Sequence, residues 1–350
     1  MGTPDFRPPE HVMKAVAESV NNAEDYKYSL VDSEEMLNAV VDYYADRYNA
    51  VIKADEITAV RGTQEGMAHL GMAILNPGDV VLLPDPGYPV FEAGSYLGGA
   101  EVYYYPLLRE NNFLPVIEDI PEDVLNKTKY IVLSYPSNPV GASAPKEMYV
   151  RMIEYAKKYN FAIINDNAYS DIIFDGREGF SFLSLPGAKD VGVEFFSLSK
   201  SYNVTGLRIS FCIGNKSIID AFKLLRSQYD FGMSYPAQKA AIAALRGPRD
   251  SVKAQCAEYQ RRRDALLNGL RKYGWNVPDS HGTMFVWLPV PEGYTSASFT
   301  EALMDKAGVI GTPGTAFGPL GEGYIRFALT KSAEELAVIA DVIGQSGVLS

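Results

Sequence analysis

Seven short apolar runs fill residues 57–214, and no other feature of the chain restricts its fold as strongly. They are ITAV (57–60), VVLLPD (80–85), EVYYYPL (101–107), YIVLSYP (130–136), FAIINDNAY (161–169), GVEFFSLSK (192–200) and RISFCIG (208–214). Several are continuously apolar instead of alternating, which is the pattern of strands buried on both faces. Intervening segments such as QEGMAHLGMAIL and KEMYVRMIEYAKKY place apolar residues three and four apart, as one face of a helix does. This alternation predicts an α/β domain: a seven-stranded, mostly parallel sheet sandwiched by helices.

The later chain reads differently. A long helical stretch over residues 250–273 carries the run Arg261-Arg262-Arg263-Asp264, expected to be a solvated helix face. MFVWLPV (284–290), VIGTPG (309–314) and YIRFALT (324–330) have strand character, and SAEELAVIADVIG closes the pattern as a helix. A smaller α+β domain is therefore expected beside the large one, with the break near Gly247-Pro248. The division is residues 15–250 for the large domain, and 1–14 with 251–350 for the small one. With 350 residues, 47% of them apolar, the chain can bury cores of both sizes.

Bulk properties exclude several function classes. The formal net charge of -11 repels nucleic acid, although a local basic patch can still hold one phosphate. Two cysteines, Cys212 and Cys256, cannot make the disulfide framework of a small secreted protein, and Cys212 reads as packing. His11, His69 and His281 lack metal-ligand spacing, so no metal site is expected. No window reaches the roughly 20 apolar residues of a membrane span. The opening MGTPDFRPPE does not resemble a signal peptide, so the expected location is the cytoplasm.

Ligands of open α/β sheets bind beyond the carboxyl ends of the strands. The polar residues at those ends form a set. The first strand runs into Arg61-Gly62-Thr63-Gln64, where a helix begins and its free N–H groups can cradle an anion. The second ends at Pro84-Asp85-Pro86-Gly87-Tyr88, the fourth runs into Asn138, and the fifth ends in Asp166 and Tyr169. The sixth ends in Ser197-Leu198-Ser199-Lys200, and the seventh opens with Arg208. Taken singly, these are a turn, a helix cap or a surface lysine. Together they gather an anion cradle, an amine, a carboxylate, a phenol and an amide. Pyridoxal phosphate needs such a set: a lysine for a Schiff base, an acid for the ring nitrogen, donors for the ring oxygen and a cationic nest for the phosphate.

In these motifs the chain resembles the class I/II aminotransferases of the fold-type I pyridoxal-phosphate enzymes. SLSKSYNVTGLRIS is similar to the family's lysine motif, SNPVG to its N-N-P-T-G and DNAY to its D-E-x-Y, in the family's order and spacing. The resemblance implies that Lys200 carries pyridoxal 5'-phosphate, that Asp166 pairs with the ring nitrogen, and that Asn138 and Tyr169 bind the ring oxygen. It places Tyr88 on the ring face, and Thr63, Gln64, Ser197, Ser199 and Arg208 around the phosphate. Arg326 and Asn138 would hold the substrate α-carboxylate, with Gly2 beside it. Tyr28 would reach the phosphate site of a partner subunit, which implies a homodimer with shared active sites. The substrates implied are an L-amino acid and a 2-oxo acid.

Within that family, VLLPDPGYPVF, ENNFLP, DNAYSDI and GEGYIRFALT look like LL-diaminopimelate aminotransferases; aspartate- or glutamate-type substrates are the other option. Gln64 stands where that group commonly has Lys, Leu207 where it has Trp, and SQYDFGMSY also departs. The loop around Asp230 shows no cation for a distal carboxylate, so Asp230 is expected either to face a distal ammonium or to be a loop carboxylate facing solvent. The chain begins at the family's GxPD motif, so an N-terminal arm is expected to be absent or removed. The alternative chemistry is a cysteine-sulfur β-lyase of the same fold. A cofactor-binding sensor and a dinucleotide enzyme rank below it, for want of a DNA-binding segment and of a G-x-G-x-x-G.

Overall fold

The structure, a computed structural model, describes residues 2–349. All seven apolar runs are strands of one sheet: β1 (Ile57–Val60), β2 (Val80–Asp85), β3 (Glu101–Pro106), β4 (Thr128–Ser134), β5 (Ala162–Asn167), β6 (Gly192–Ser197) and β7 (Ser210–Gly214). Their order is β1-β7-β6-β5-β4-β2-β3. β7 runs antiparallel to both neighbours and every other pairing is parallel. The carboxyl ends of β1, β2, β4, β5 and β6 therefore share one edge with the start of β7.

Alternation along the strands serves two cores, which explains the continuous apolar runs. Val81, Leu83, Val132, Ile164, Val193 and Phe195 pack against Met67 and Leu70 of the Thr63–Ile74 helix and Phe222 of the Lys216–Arg226 helix. Val80, Leu82, Ile131, Leu133, Ile163 and Phe196 pack on the opposite face against Tyr44 of the Glu34–Tyr48 helix and Met152 of the Lys146–Tyr159 helix. The edge strand β3 is half exposed.

A second sheet, β8 (Phe285–Pro289), β10 (Tyr324–Ala328) and β9 (Thr312–Pro313), is antiparallel throughout. It shares an apolar cluster with the Asp250–Lys272 and Ala333–Gln345 helices. These helices approach closely: a β-carbon on Gly269 would lie 2.5 Å from that of Ala340. No helix among the described residues is long and apolar enough to cross a membrane.

The arginine run on the long helix is not the solvated face expected of it. Arg261 faces solvent, but Arg262 and Arg263 are buried. Arg262 donates to both oxygens of Asp5 (2.7 and 2.9 Å), to Glu258 (3.0 Å) and to the Leu329 carbonyl (3.0 Å). Arg263 does the same with Asp175 (2.8 and 2.7 Å), Asp264 (2.8 Å) and the Ser280 carbonyl (2.7 Å). Partners distant in sequence neutralise charges that the local pattern assigns to water.

Candidate functional site at the strand carboxyl ends

Lys200 lies in the helical turn Leu198–Ser201 directly after β6, mostly enclosed, and its Nζ donates to the Gly2 carbonyl at 3.1 Å. Burial lowers its amine to about 8, and the charges of Arg208 and Arg326 push the same way. The turn is fixed from below, because the Gln255 amide donates to the Lys200 carbonyl at 2.7 Å. It is fixed from the side by Ser201, which donates to Asp171 at 2.8 Å. Gly2 fits only without a side chain, since a β-carbon there would sit 2.3 Å from the Phe285 ring.

Asp166 occupies the buried end of β5. One carboxylate oxygen accepts from Ser134 Oγ at 3.4 Å, and the other, Oδ1, is buried with no partner among the described residues. Burial raises this carboxyl to about 7; Ser134 opposes the shift and Glu194 adds to it. A buried carboxylate oxygen with no donor costs free energy unless a ligand supplies the proton. A protonated ring nitrogen is such a ligand.

Arg326, on β10, is stacked between the rings of Phe285 and Phe317, with Cζ 4.1 and 4.4 Å from their centroids. Its Nη1 donates to Asn138 Oδ1 at 2.7 Å. Burial lowers the guanidinium to about 10, partly offset by the nearby Tyr169 and Tyr88 phenols. Tyr169 is buried with its ring 6.3 Å from that of Phe285, and burial together with Asp166 raises its phenol far above the usual range. Tyr88 stands after β2, its ring 6.0 Å from Phe91.

The third part is the turn between β1 and the Thr63–Ile74 helix. Gly62 precedes the helix with φ 95° and no side-chain cap, leaving the first N–H groups of a 12-residue helix free. Arg208, itself left-handed at φ 55°, lays its guanidinium against Gly62, where a β-carbon would lie 2.0 Å from Nη2. Free N–H groups, a helix N-terminus and a guanidinium form an anion cradle. Thr63 begins the helix and Gln64 is exposed at its rim. Ser197 and Ser199 are buried beside Lys200, and Ser197 Oγ accepts from the Ser199 N–H at 3.2 Å.

The structure thus brings Lys200, Asp166, Asn138, Tyr169, Arg208, Arg326, Gly2 and Tyr88 to one edge. Tyr28 is placed apart. It is 76% exposed, packs on Phe231 at 5.2 Å, and lines a surface cavity of about 520 Å³ with Arg61 and Arg208. Asp230 differs from the expectation. Its carboxylate is held by Arg226 at 2.9 Å and Arg61 at 3.4 Å, and only 3% of the side chain is exposed. Cations do surround it, and no free charge remains for a distal ammonium. Sequence reading missed Ser134, Gln255, Phe285 and Phe317. Ser134 is opposite Asp166 in the β4–β5 register, and such a pairing becomes visible only when the strands are laid side by side.

Comparison with known proteins gives a consistent picture. The sequence model described as aminotransferase class I and II matches residues 1–343. The LL-diaminopimelate aminotransferase of Dehalococcoides mccartyi strain 195 is 45% identical over 338 residues, covering 96% of this chain and 87% of that protein. The Aquifex aeolicus protein of the same name is 41% identical, covering 98% and 89%. Among solved structures, substrate-bound BacF from Bacillus subtilis superposes with a TM-score of 0.96 at 34% identity, covering 99% of this chain and 89% of that one. A probable N-succinyldiaminopimelate aminotransferase from Thermus thermophilus gives 0.94 at 33% identity, covering 99% and 93%.

Proposed function

The chain belongs to the class I and II aminotransferases, and from that premise we propose that it holds pyridoxal 5'-phosphate at Lys200 and takes LL-diaminopimelate as an amino donor. Transfer of an amino group between amino acids and 2-oxo acids is the activity of this family, on a fold-type I scaffold. The observation that carries the assignment is the pairing, at one sheet edge, of a depressed lysine with a buried, half-unpartnered aspartate. The anion cradle of Gly62 and Arg208 supports it. The donor proposal rests on the names of the relatives.

Bound pyridoxal phosphate supplies an electron sink that acidifies the substrate α-carbon. Arg326 presents a planar fork to the substrate carboxylate, and Phe285 and Phe317 fix its plane and exclude water from it. Asn138 orients the fork through its carbonyl oxygen. Lys200 Nζ, about half free amine near pH 8, takes the α-proton and later returns it. With the cofactor bound, Asp166 Oδ1 would accept from the ring nitrogen and keep it charged, Tyr169 and Asn138 would hold the ring oxygen, and Tyr88 would cover a ring face. The Thr63 turn, with Gln64, Ser197, Ser199 and Arg208, would hold the phosphate.

We also propose a homodimer. Tyr28, Leu30, Val31 and Phe231 expose 76%, 68%, 75% and 60% of their surface, and Tyr28 and Phe231 line one cavity with Arg208, which supports a covered apolar face. Tyr28 would then complete the partner's phosphate site.

Visible spectra of the purified protein with pyridoxal phosphate, recorded after adding single amino acids, test the reading. A yellow band that converts to the pyridoxamine form with LL-diaminopimelate is the expected result. Conversion only with another donor would displace the substrate assignment. A persistent band with release of pyruvate would indicate the β-lyase.

A further inference from the structure

One buried ionisable group near the site takes no part in the mechanism above. Glu194, on β6, is wholly buried and receives five donors: Tyr44 Oη (2.8 Å), Asn165 Nδ2 (2.8 Å), Asn167 Nδ2 (3.0 Å), Ser181 Oγ (2.7 Å) and the Phe182 N–H (3.0 Å). The two amides and the backbone N–H can only donate here. Ser181 Oγ already accepts from the Leu183 N–H, so its proton is free for Glu194. Burial raises this carboxyl above its ordinary value and the side-chain donors oppose the rise; a shell made of donors fits an ionised carboxylate.

What those donors are attached to matters more than their number. Asn165 and Asn167 flank Asp166 on β5. Strand alternation sends their side chains to one face of the sheet and that of Asp166 to the other. Glu194 pairs with Asn165 in the β5–β6 register, so its carboxylate lies under the same stretch of backbone. Tyr149 Oη donates to Asn165 Oδ1 at 2.9 Å, which prevents that amide from turning over. Both residues beside Asp166 are thus tied to a single anchor, while Asp166 itself has one weak 3.4 Å contact.

We propose that Glu194 is a positioning residue: from the far face of the sheet it grips Asn165 and Asn167, and so fixes the direction in which Asp166 presents its free oxygen to the cofactor. The inference rests on the reading of Asp166 as the ring-nitrogen partner. The grip gives the end of a strand, where the chain leaves the ladder, the rigidity that a directional hydrogen bond to a ligand requires. The negative charge of Glu194 acts in the same sense, since it favours a proton shared between Asp166 and the ring nitrogen.

The test compares the affinity of the cofactor-free protein for pyridoxal phosphate with that for its 1-deaza analogue, which has a carbon in place of the ring nitrogen. The ratio isolates the Asp166 contact; general loosening of the fold weakens both ligands alike. Wild type is expected to prefer pyridoxal phosphate by about tenfold or more, the worth of one charge-assisted hydrogen bond. D166A should bring the ratio to within about twofold of unity, and E194Q should lower it by about threefold or more. E194Q sets an amide group against donors; if it fails to fold, N167A cuts one arm of the grip and should lower the ratio as well. Y44F removes a donor that does not touch β5 and should keep the wild-type ratio. A ratio lost in D166A but unchanged in E194Q or N167A would overturn the proposal. No preference in wild type would instead overturn the assignment of Asp166, and the proposal with it.

Discussion

Two of the groups of buried charge in this molecule are built on opposite plans. Arg262 and Arg263 on the long helix have nearly every N–H matched to a carboxylate or carbonyl. Lys200, Asp166 and Arg326 at the sheet edge are under-matched. Among the described residues the lysine has a backbone carbonyl, the aspartate has no partner on one oxygen, and the arginine has an amide oxygen and two ring faces. In consequence burial shifts all three strongly, to about 8, about 7 and about 10. The full pairing suits groups that hold the structure, and the incomplete pairing suits the proposed role of the second group, whose partners would arrive with ligand.

Substitutions should separate the two plans. Lys200→Ala is expected to lower turnover by at least about 10⁴-fold, because both the cofactor link and the proton carrier are lost. Asp166→Ala should cost about 10³-fold in turnover and leave the cofactor bound through its phosphate, as single-turnover rates and absorbance would show. Arg326→Ala should lower kcat/KM for amino acids by about 10²-fold, mostly through KM, as expected for loss of a carboxylate clamp. Arg263→Ala, by contrast, should leave turnover per folded molecule intact and destabilise the protein by about 2–4 kcal/mol in a denaturant titration, since it leaves buried acceptors unmatched. A large loss of specific activity without destabilisation in Arg263→Ala would erase the distinction.

The smallest effect sharpens the comparison through pH. In cofactor-free protein, Asp166 keeps its proton up to about 7, whereas the unfolded chain releases it near 3.8. Between those values the folded state binds more protons, so stability falls as pH rises, and the penalty is complete above about 7. Unfolding free energies at acidic and at mildly alkaline pH should differ on this account by about 1–3 kcal/mol after the protein relaxes around the charge. Asp166→Asn should remove that difference.

The same contrast explains what could be read before folding. Six of the seven main strands are buried along nearly their whole length, so each is announced by an apolar run bounded by polar residues. Lys200, Asp166, Asn138 and Arg208 stood out as candidates because each lies at or just beyond an end of such a run. The local signal ends where pairing is long-range. Arg263 meets Asp175 and Arg262 meets Asp5, 88 and 257 residues away, so a charged run that looks solvated is buried. Asp230 looked free because Arg61, 169 residues away, is invisible from the loop. Even the nearby Arg226, one helical turn before it, was not counted as its partner. The reversed direction of β7 was likewise hidden, since an apolar run carries no sign of its orientation.

The central claim is that Lys200 carries the cofactor. Reduction of the pyridoxal-phosphate-loaded protein with borohydride, followed by digestion and mass spectrometry, reads the attachment point directly. The account predicts a stable pyridoxyl adduct on the peptide containing Lys200, absent from Lys200→Ala. An adduct on another lysine, or none in a protein that still transfers amino groups, would contradict it.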